Sequence, residues 1–308
     1  MEDESVVPYL KMLYGADLGP VFLSLLRGMI IPSKGCELFV ADFSKIEVAV
    51  LWWLADNKPG LDVLRSGKDP YLYMAAANTG RPYESFSEDS PERQLGKAQV
   101  LGAGFGMGAT KFHKTAWDMY RLKLTETQAD LAIKNYRKAN SAVPQLWRQY
   151  ENAAISAVKN LNRHQRAGKC SFVCQDKFLW VTLPSKRKLA YREPRITWRE
   201  SEYGSRETLE FMAVNSKTKK WCLERTWGGT LTENIVQAVA RDLMMQAIVR
   251  LEKAGYKALL TVHDEAICEK PIGKGNLQEF TQLMCQITGW APGLPLEAKG
   301  WCGPRYRK

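Results

Sequence analysis

The spacing of apolar and polar positions changes several times along the chain, and each change marks an element. Residues 18–31, "LGPVFLSLLRGMII", carry apolar side chains at helical spacing and lead to a turn at "PSKG". "CELFVADF" follows as an almost continuously apolar run of strand length, ending in Asp42. "IEVAVLWWLAD" then predicts a helix apolar on nearly every side, suited to the interior, with Trp52 and Trp53 as core residues. From about 65 to 165 the pattern is mostly helical, including "TETQADLAIKNYRKA" and "VPQLWRQYENAAISAVKN". Residues 169–228 switch to short alternating runs with basic turns ("PSKRK", "NSKTKK"), the pattern of antiparallel strands. "TLTENIVQAVARDLMMQAIVRLEKAGY" predicts a long amphipathic helix with Ile235, Val236, Val239, Leu243, Ala247 and Leu251 on one face. Thr230 and Glu233 have capping-box spacing at its start.

Next comes "LLTVHDEAICE", residues 259–269, which reads as two short strands joined by a tight turn carrying His263, Asp264 and Glu265. Two carboxylates about 4 Å apart repel by roughly 4 kcal/mol at an effective dielectric of 20. They either splay into water or hold a cation, and an isolated turn of this kind is most simply solvated. Asp42 is a second candidate. A strand that delivers it and turns straight into a helix holds the carboxylate rigidly, with Glu47 in the helix that follows. The ordinary reading is a strand–helix corner whose acid is favoured by the helix dipole. If the Asp42 strand and the hairpin share one sheet, the helices between them form a separate lobe.

Composition sharpens the choice of partner. The 308 residues are 45% hydrophobic and 25% charged, which suits one large or two modest domains. Lys and Arg number 44 against 33 Asp and Glu, for a formal charge of +11, so an acidic partner such as nucleic acid is favoured. Seven cysteines without paired CxxC spacing and only three histidines argue against a zinc cluster. "MEDESVVPYL" has no apolar signal core, and no stretch approaches the roughly 20 apolar residues of a membrane span, so a reducing, cytoplasmic compartment is expected.

"ERQLGKAQVLGAGFGMG", residues 92–108, places Arg93, Lys97, Leu101 and Phe105 four residues apart, one slowly drifting stripe on a helix. Two cations followed by two apolar groups suit a nucleotide, with triphosphate at the basic end and base at the apolar end. Gly96, Gly102 and Gly104 would each cost roughly 1 kcal/mol against alanine in a helix interior, so close approach of another backbone or a base is expected there. No GK[ST] follows and no strand leads in, which excludes a P-loop and a dinucleotide fingerprint. In "TENIVQ", Asn234 and Gln237 stand at i, i+3. Amides can donate to minor-groove acceptors, although an exposed polar helix face accounts for them equally well.

Taken together, these segments resemble the polymerase module of family A DNA polymerases, with wording closest to phage and prophage members. "DFSKIE" is similar to motif A of that family, "RQLGKAQVLGAGFG" to motif B and "VHDE" to motif C, in matching order and separation. The likeness extends from about residue 25 to "EAKGWCGPRYRK". It implies an α+β fold, a right-hand palm of antiparallel sheet with packed helices plus a helical fingers lobe. The expected division is palm at 1–64, fingers at 65–165 and palm again at 166–308. Only 41 residues precede Asp42, so thumb and exonuclease domains are expected to be absent, and with them proofreading.

The resemblance implies that Asp42 and Asp264 bind two Mg2+ ions, for which Mn2+ can substitute, with Glu265 as an accessory acid. By the same likeness Arg93 and Lys97 hold the triphosphate, and Lys97 can protonate pyrophosphate. Glu47 excludes a ribose 2′-hydroxyl, Phe105 covers the templating position, and Leu101 and Tyr71 complete the nucleotide site. Gln237, Asn234 and His263 contact DNA. Lys45, Ala49, Tyr71 and Leu101 depart from the residues common at their positions in the family. The expected partners are primer–template DNA, dNTPs and a separate protein supplying a thumb or processivity, as in a gap-filling enzyme or the C-terminal part of a split polymerase. Two alternatives stand beside this reading: a single-subunit RNA polymerase, against which Glu47 argues, and a truncated DNA-binding module with little turnover.

Overall fold

Two helices, α1 (Val6–Tyr14) and α2 (Gly19–Gly28), precede strand β1 (Cys36–Phe43), in a computed structural model that describes residues 6–200 and 204–307. Seven helices follow: α3 (Ile46–Leu54), α4 (Lys58–Arg65), α5 (Pro70–Thr79), α6 (Pro91–Gly102), α7 (Ala109–Tyr120), α8 (Glu126–Ala139) and α9 (Ala142–Lys159). Then come β2 (Gln165–Ala167), β3 (Cys170–Gln175), β4 (Phe178–Thr182), β5 (Lys188–Arg199), β6 (Arg206–Val214) and β7 (Trp221–Thr226). The chain closes with α10 (Gly228–Lys253), β8 (Lys257–Val262), β9 (Glu265–Pro271), α11 (Leu277–Cys285) and β10 (Ala298–Gly303). The fold is α+β, as expected. It divides into one unit of Met1–Ser44, Met244–Gln286 and Glu297–Lys308, and another of Lys45–Leu243 and Ile287–Leu296.

The first unit is built on a four-stranded antiparallel sheet in the order β10-β1-β9-β8. The Asp42 strand and the hairpin therefore do share a sheet. β1 is buried on both faces, which is why its sequence is a nearly unbroken apolar run rather than an alternation. One face carries Phe39 against Tyr256 and Phe280, with ring centroids 5.1 and 5.9 Å away. The other packs Leu38, Val40 and Ile267 with Tyr306.

In the second unit α3 is buried almost throughout, and Trp52 and Trp53 are core residues at 0% and 4% exposure. The six strands β2 to β7 form an antiparallel meander in sequence order. The side of this sheet bearing Leu179, Val181, Tyr191 and Leu209 is buried. Asn234 of α10 donates to the Tyr191 hydroxyl at 3.0 Å, and Lys159 of α9 pairs with Glu207 of β6.

Helix α10 buries all six residues of its expected apolar face. Its start differs from the expected capping box: the helix begins at Gly228, so Thr230 lies inside the first turn, and Thr232 instead donates to the Gly228 carbonyl at 2.7 Å. The cause is steric. A Cβ at Gly228 would lie 2.0 Å from the Trp147 carbonyl oxygen, and glycine lets the helix begin against α9 there.

Candidate active site

In the first unit the strand registers assemble the acids. Asp42, the penultimate residue of β1, stands opposite Glu265 of β9 on one side and Lys299 of β10 on the other. Residues paired across antiparallel strands share a face, so these three side chains leave the sheet on the same side. The Phe43 N–H donates to the Asp264 carbonyl at 3.1 Å, which fixes the hairpin turn against the end of β1. His263 takes a left-handed conformation in that turn, φ 54°. Asp42 and Asp264 are partly exposed.

Glu265 is not a solvated tip residue. It opens β9, is 4% exposed, and accepts a 2.5 Å hydrogen bond from the Tyr306 hydroxyl. Burial, the bond to Glu265 and that carboxylate's charge push the Tyr306 phenol up to about 12, so it stays a donor over the neutral range. Among the described residues no three His, Cys, Asp or Glu side chains converge as a complete metal cage.

The second unit carries the basic helix. Ser90 caps α6, with its hydroxyl accepting from the Arg93 N–H at 3.4 Å. Arg93 pairs with Asp69 at 2.7 Å, both largely shielded, and Asp69 also caps α5 by accepting from the Tyr71 N–H at 2.8 Å. Tyr71 is buried, with the Arg93 guanidinium 5.4 Å and the Lys45 ammonium 6.0 Å from its ring centre. Burial first, and Asp69 next, raise its phenol to about 12. Lys97 and Leu101 are partly exposed on the same helix, and among the described residues Lys97 makes no ion pair.

The predicted stripe breaks at its last member. α6 ends at Gly102, and Phe105 lies in a 3-10 turn, Ala103–Phe105, because the glycines loosen the helix before its fourth repeat. The glycines have separate causes. A Cβ at Gly96 would sit 2.2 Å from the Tyr71 carbonyl oxygen, so α5 is the close backbone there, and at Gly104 the Leu51 side chain lies 2.8 Å away. Gly102 meets nothing nearer than 3.6 Å.

Two further expected residues meet each other: the Gln237 side-chain amide donates to Glu47 at 2.6 Å. Sequence reasoning missed Tyr306 and Asp69. The Asp-Pro pair at 69–70 is a helix-start signal that could have revealed the cap, though not the ion pair. Nothing local in "GPRYRK" points to Glu265.

Residues 22–171 match the sequence model of DNA polymerase family A. The chain is similar to the DNA polymerase of Bacillus phage SP02, 36% identical over 303 residues covering 97% of this chain and 45% of the relative. It is also similar to the thermostable DNA polymerase I of Thermus aquaticus, 25% identical over 250 residues, 80% of this chain and 24% of that protein. Among solved structures it is similar in fold to the POL domain of Pol1 from M. smegmatis in complex with DNA primer-template and dNTP. The TM-score is 0.60 at 19% identity, over 91% of this chain and 41% of the other. The chain thus spans less than half the length of these relatives. No helix among the described residues is long and apolar enough to cross a membrane.

Proposed function

We propose that this chain is the nucleotidyl-transfer part of a template-directed DNA polymerase, adding dNTPs to a primer 3′-end and releasing pyrophosphate. One observation supports the reading most: Asp42 and Glu265 are paired across β1 and β9, with the Asp264 backbone bonded to Phe43. Residues far apart in sequence are brought together where an acid-dependent phosphoryl transfer would need them.

Asp42 and Asp264 would hold two magnesium ions, with manganese able to substitute. A few partly exposed carboxylates fit an ion that keeps several waters and takes further oxygens from substrate phosphates. Bound there, the ions would supply charge stabilisation to the phosphoryl group being transferred. Glu265, held by Tyr306, would maintain the negative field beside Asp42. Arg93 would grip the triphosphate as a planar fork and Lys97 as a point charge able to give pyrophosphate its proton. Leu101, Phe105 and Tyr71 would bound the base and sugar, Glu47 would exclude a 2′-hydroxyl, and Gln237, Asn234 and His263 would contact DNA. A partner supplying the thumb would find an apolar surface on α1, α2 and the residue after α2, where Met12, Leu23 and Met29 are exposed.

Primer extension with magnesium or manganese, comparing the chain with Asp264→Ala, tests the assignment. The expected result is dNTP addition by the wild type, and its loss in the variant with primer–template binding largely kept. Equal incorporation by both removes Asp264 from its role. Tight DNA binding without any addition by the wild type identifies a binding module, and preferential use of NTPs identifies an RNA polymerase.

A further inference from the structure

The outer side of strands β5 to β7 has no part in the chemistry above. Its composition is set by register. Arg195 stands opposite Glu210, Arg199 opposite Arg206, Glu210 opposite Arg225 and Val214 opposite Trp221, so all of these share one face. A bulge between Arg192 and Arg195 keeps Arg192, opposite Met212, on that face as well. The reverse side carries Tyr191, Leu209 and Phe211, with Tyr191 and Leu209 buried.

Five arginines, 192, 195, 199, 206 and 225, are therefore exposed together. The registers place one acid among them, Glu210, which is held between Arg195 at 3.1 Å and Arg225 at 3.4 Å. Glu193 lies in the bulge and pairs with Arg192. Trp221 is 53% exposed on the edge strand, with the Arg192 guanidinium 5.9 Å from its ring centre. Core packing does not require an indole in water on a sheet edge. Trp221 thus offers a flat ring face to solvent beside a surplus of arginine, a combination that suits a polyanion carrying stackable rings.

We propose that this face binds single-stranded DNA, with the arginines along the phosphates and an unpaired base on Trp221. A duplex offers phosphates but no free base face except at its ends, so the indole favours a single strand. The inference stands apart from the proposed polymerase chemistry, because its readout is binding and not nucleotide addition.

The test measures fluorescence anisotropy of a labelled oligo-dT with the full chain over a salt series. Three variants are compared with the wild type: Arg192→Ala/Arg199→Ala/Arg206→Ala, the same three positions changed to Lys, and Trp221→Ala. The alanine triple is expected to weaken binding and to reduce the slope of log K against log salt by about 2, from three lost contacts at about 0.7 each. The lysine triple should keep the slope. Trp221→Ala should weaken oligo-dT about tenfold while leaving a blunt duplex of equal length unchanged. Wild-type affinity and slope in the alanine triple, with unchanged circular dichroism, overturns the proposal. Equal weakening of oligo-dT and duplex by Trp221→Ala overturns the commitment to a single strand.

Discussion

Replacing Tyr306 by Phe removes one oxygen from beside the acid pair and nothing else. Tyr306 and Glu265 are each 4% exposed, and the hydroxyl donates to the carboxylate at 2.5 Å. A hydrogen bond to a charged group contributes about 1.5–3 kcal/mol, so Tyr306→Phe should lower the unfolding free energy by about 2 kcal/mol at neutral pH. The pH dependence gives a sharper signature. The phenol is raised from 10.0 to about 12 by burial, the bond to Glu265 and that group's charge. A raised folded-state value means that the stabilisation is fully present below pH 10 and lost as pH climbs through 12. A difference of about two pH units corresponds to about 3 kcal/mol, roughly half of it lost by pH 11.

Phenylalanine has no proton to lose. The stability gap between wild type and variant should therefore hold from pH 7 to 9 and shrink by about 1 kcal/mol at pH 11. Other buried tyrosines, including Tyr71, Tyr191 and Tyr256, are also raised, but they are common to both proteins and cancel in the difference. Urea titrations at pH 7, 9, 10 and 11 read the gap directly. A gap near zero at pH 7, or one that does not change between pH 9 and 11, refutes the account of Tyr306 as the clamp on Glu265.

Gly96→Ala should destabilise the chain by about 2 kcal/mol, because its methyl would meet the Tyr71 carbonyl oxygen, a backbone atom that cannot turn aside. Gly102→Ala, with 3.6 Å of clearance, should be neutral or stabilising by up to about 1 kcal/mol, and thermal melts of the pair decide whether α5 contact is the reason for Gly96. Asp69→Asn keeps an oxygen to cap α5 but removes the ion pair with Arg93, whereas Asp69→Ala removes both. The alanine variant should therefore be less stable than the asparagine variant by about 1 kcal/mol, and equal melting points would show that the cap contributes nothing.

The sequence alone determined those features that are local or that repeat. β1 reads as a buried strand because apolar side chains fill both its faces, and α10 reads as a helix because Ile235, Val239 and Leu243 recur at its period. The motifs around Asp42, Arg93 and Asp264 were legible because their spacing and order are written along the chain. Tertiary structure decided what each side chain meets. Glu265 looked like a solvated turn acid and is a buried acceptor for Tyr306, 41 residues away. Arg93, read as a cation at the basic end of a helical stripe, is held by Asp69, while Gln237 and Glu47, 190 residues apart, are bonded to each other. Phe105 left the helical stripe because the glycines before it loosen the backbone. The division has one physical source: period and propensity act within a few residues, whereas hydrogen bonds and ion pairs depend on which segments the packed sheets and helices bring within about 3 Å of one another.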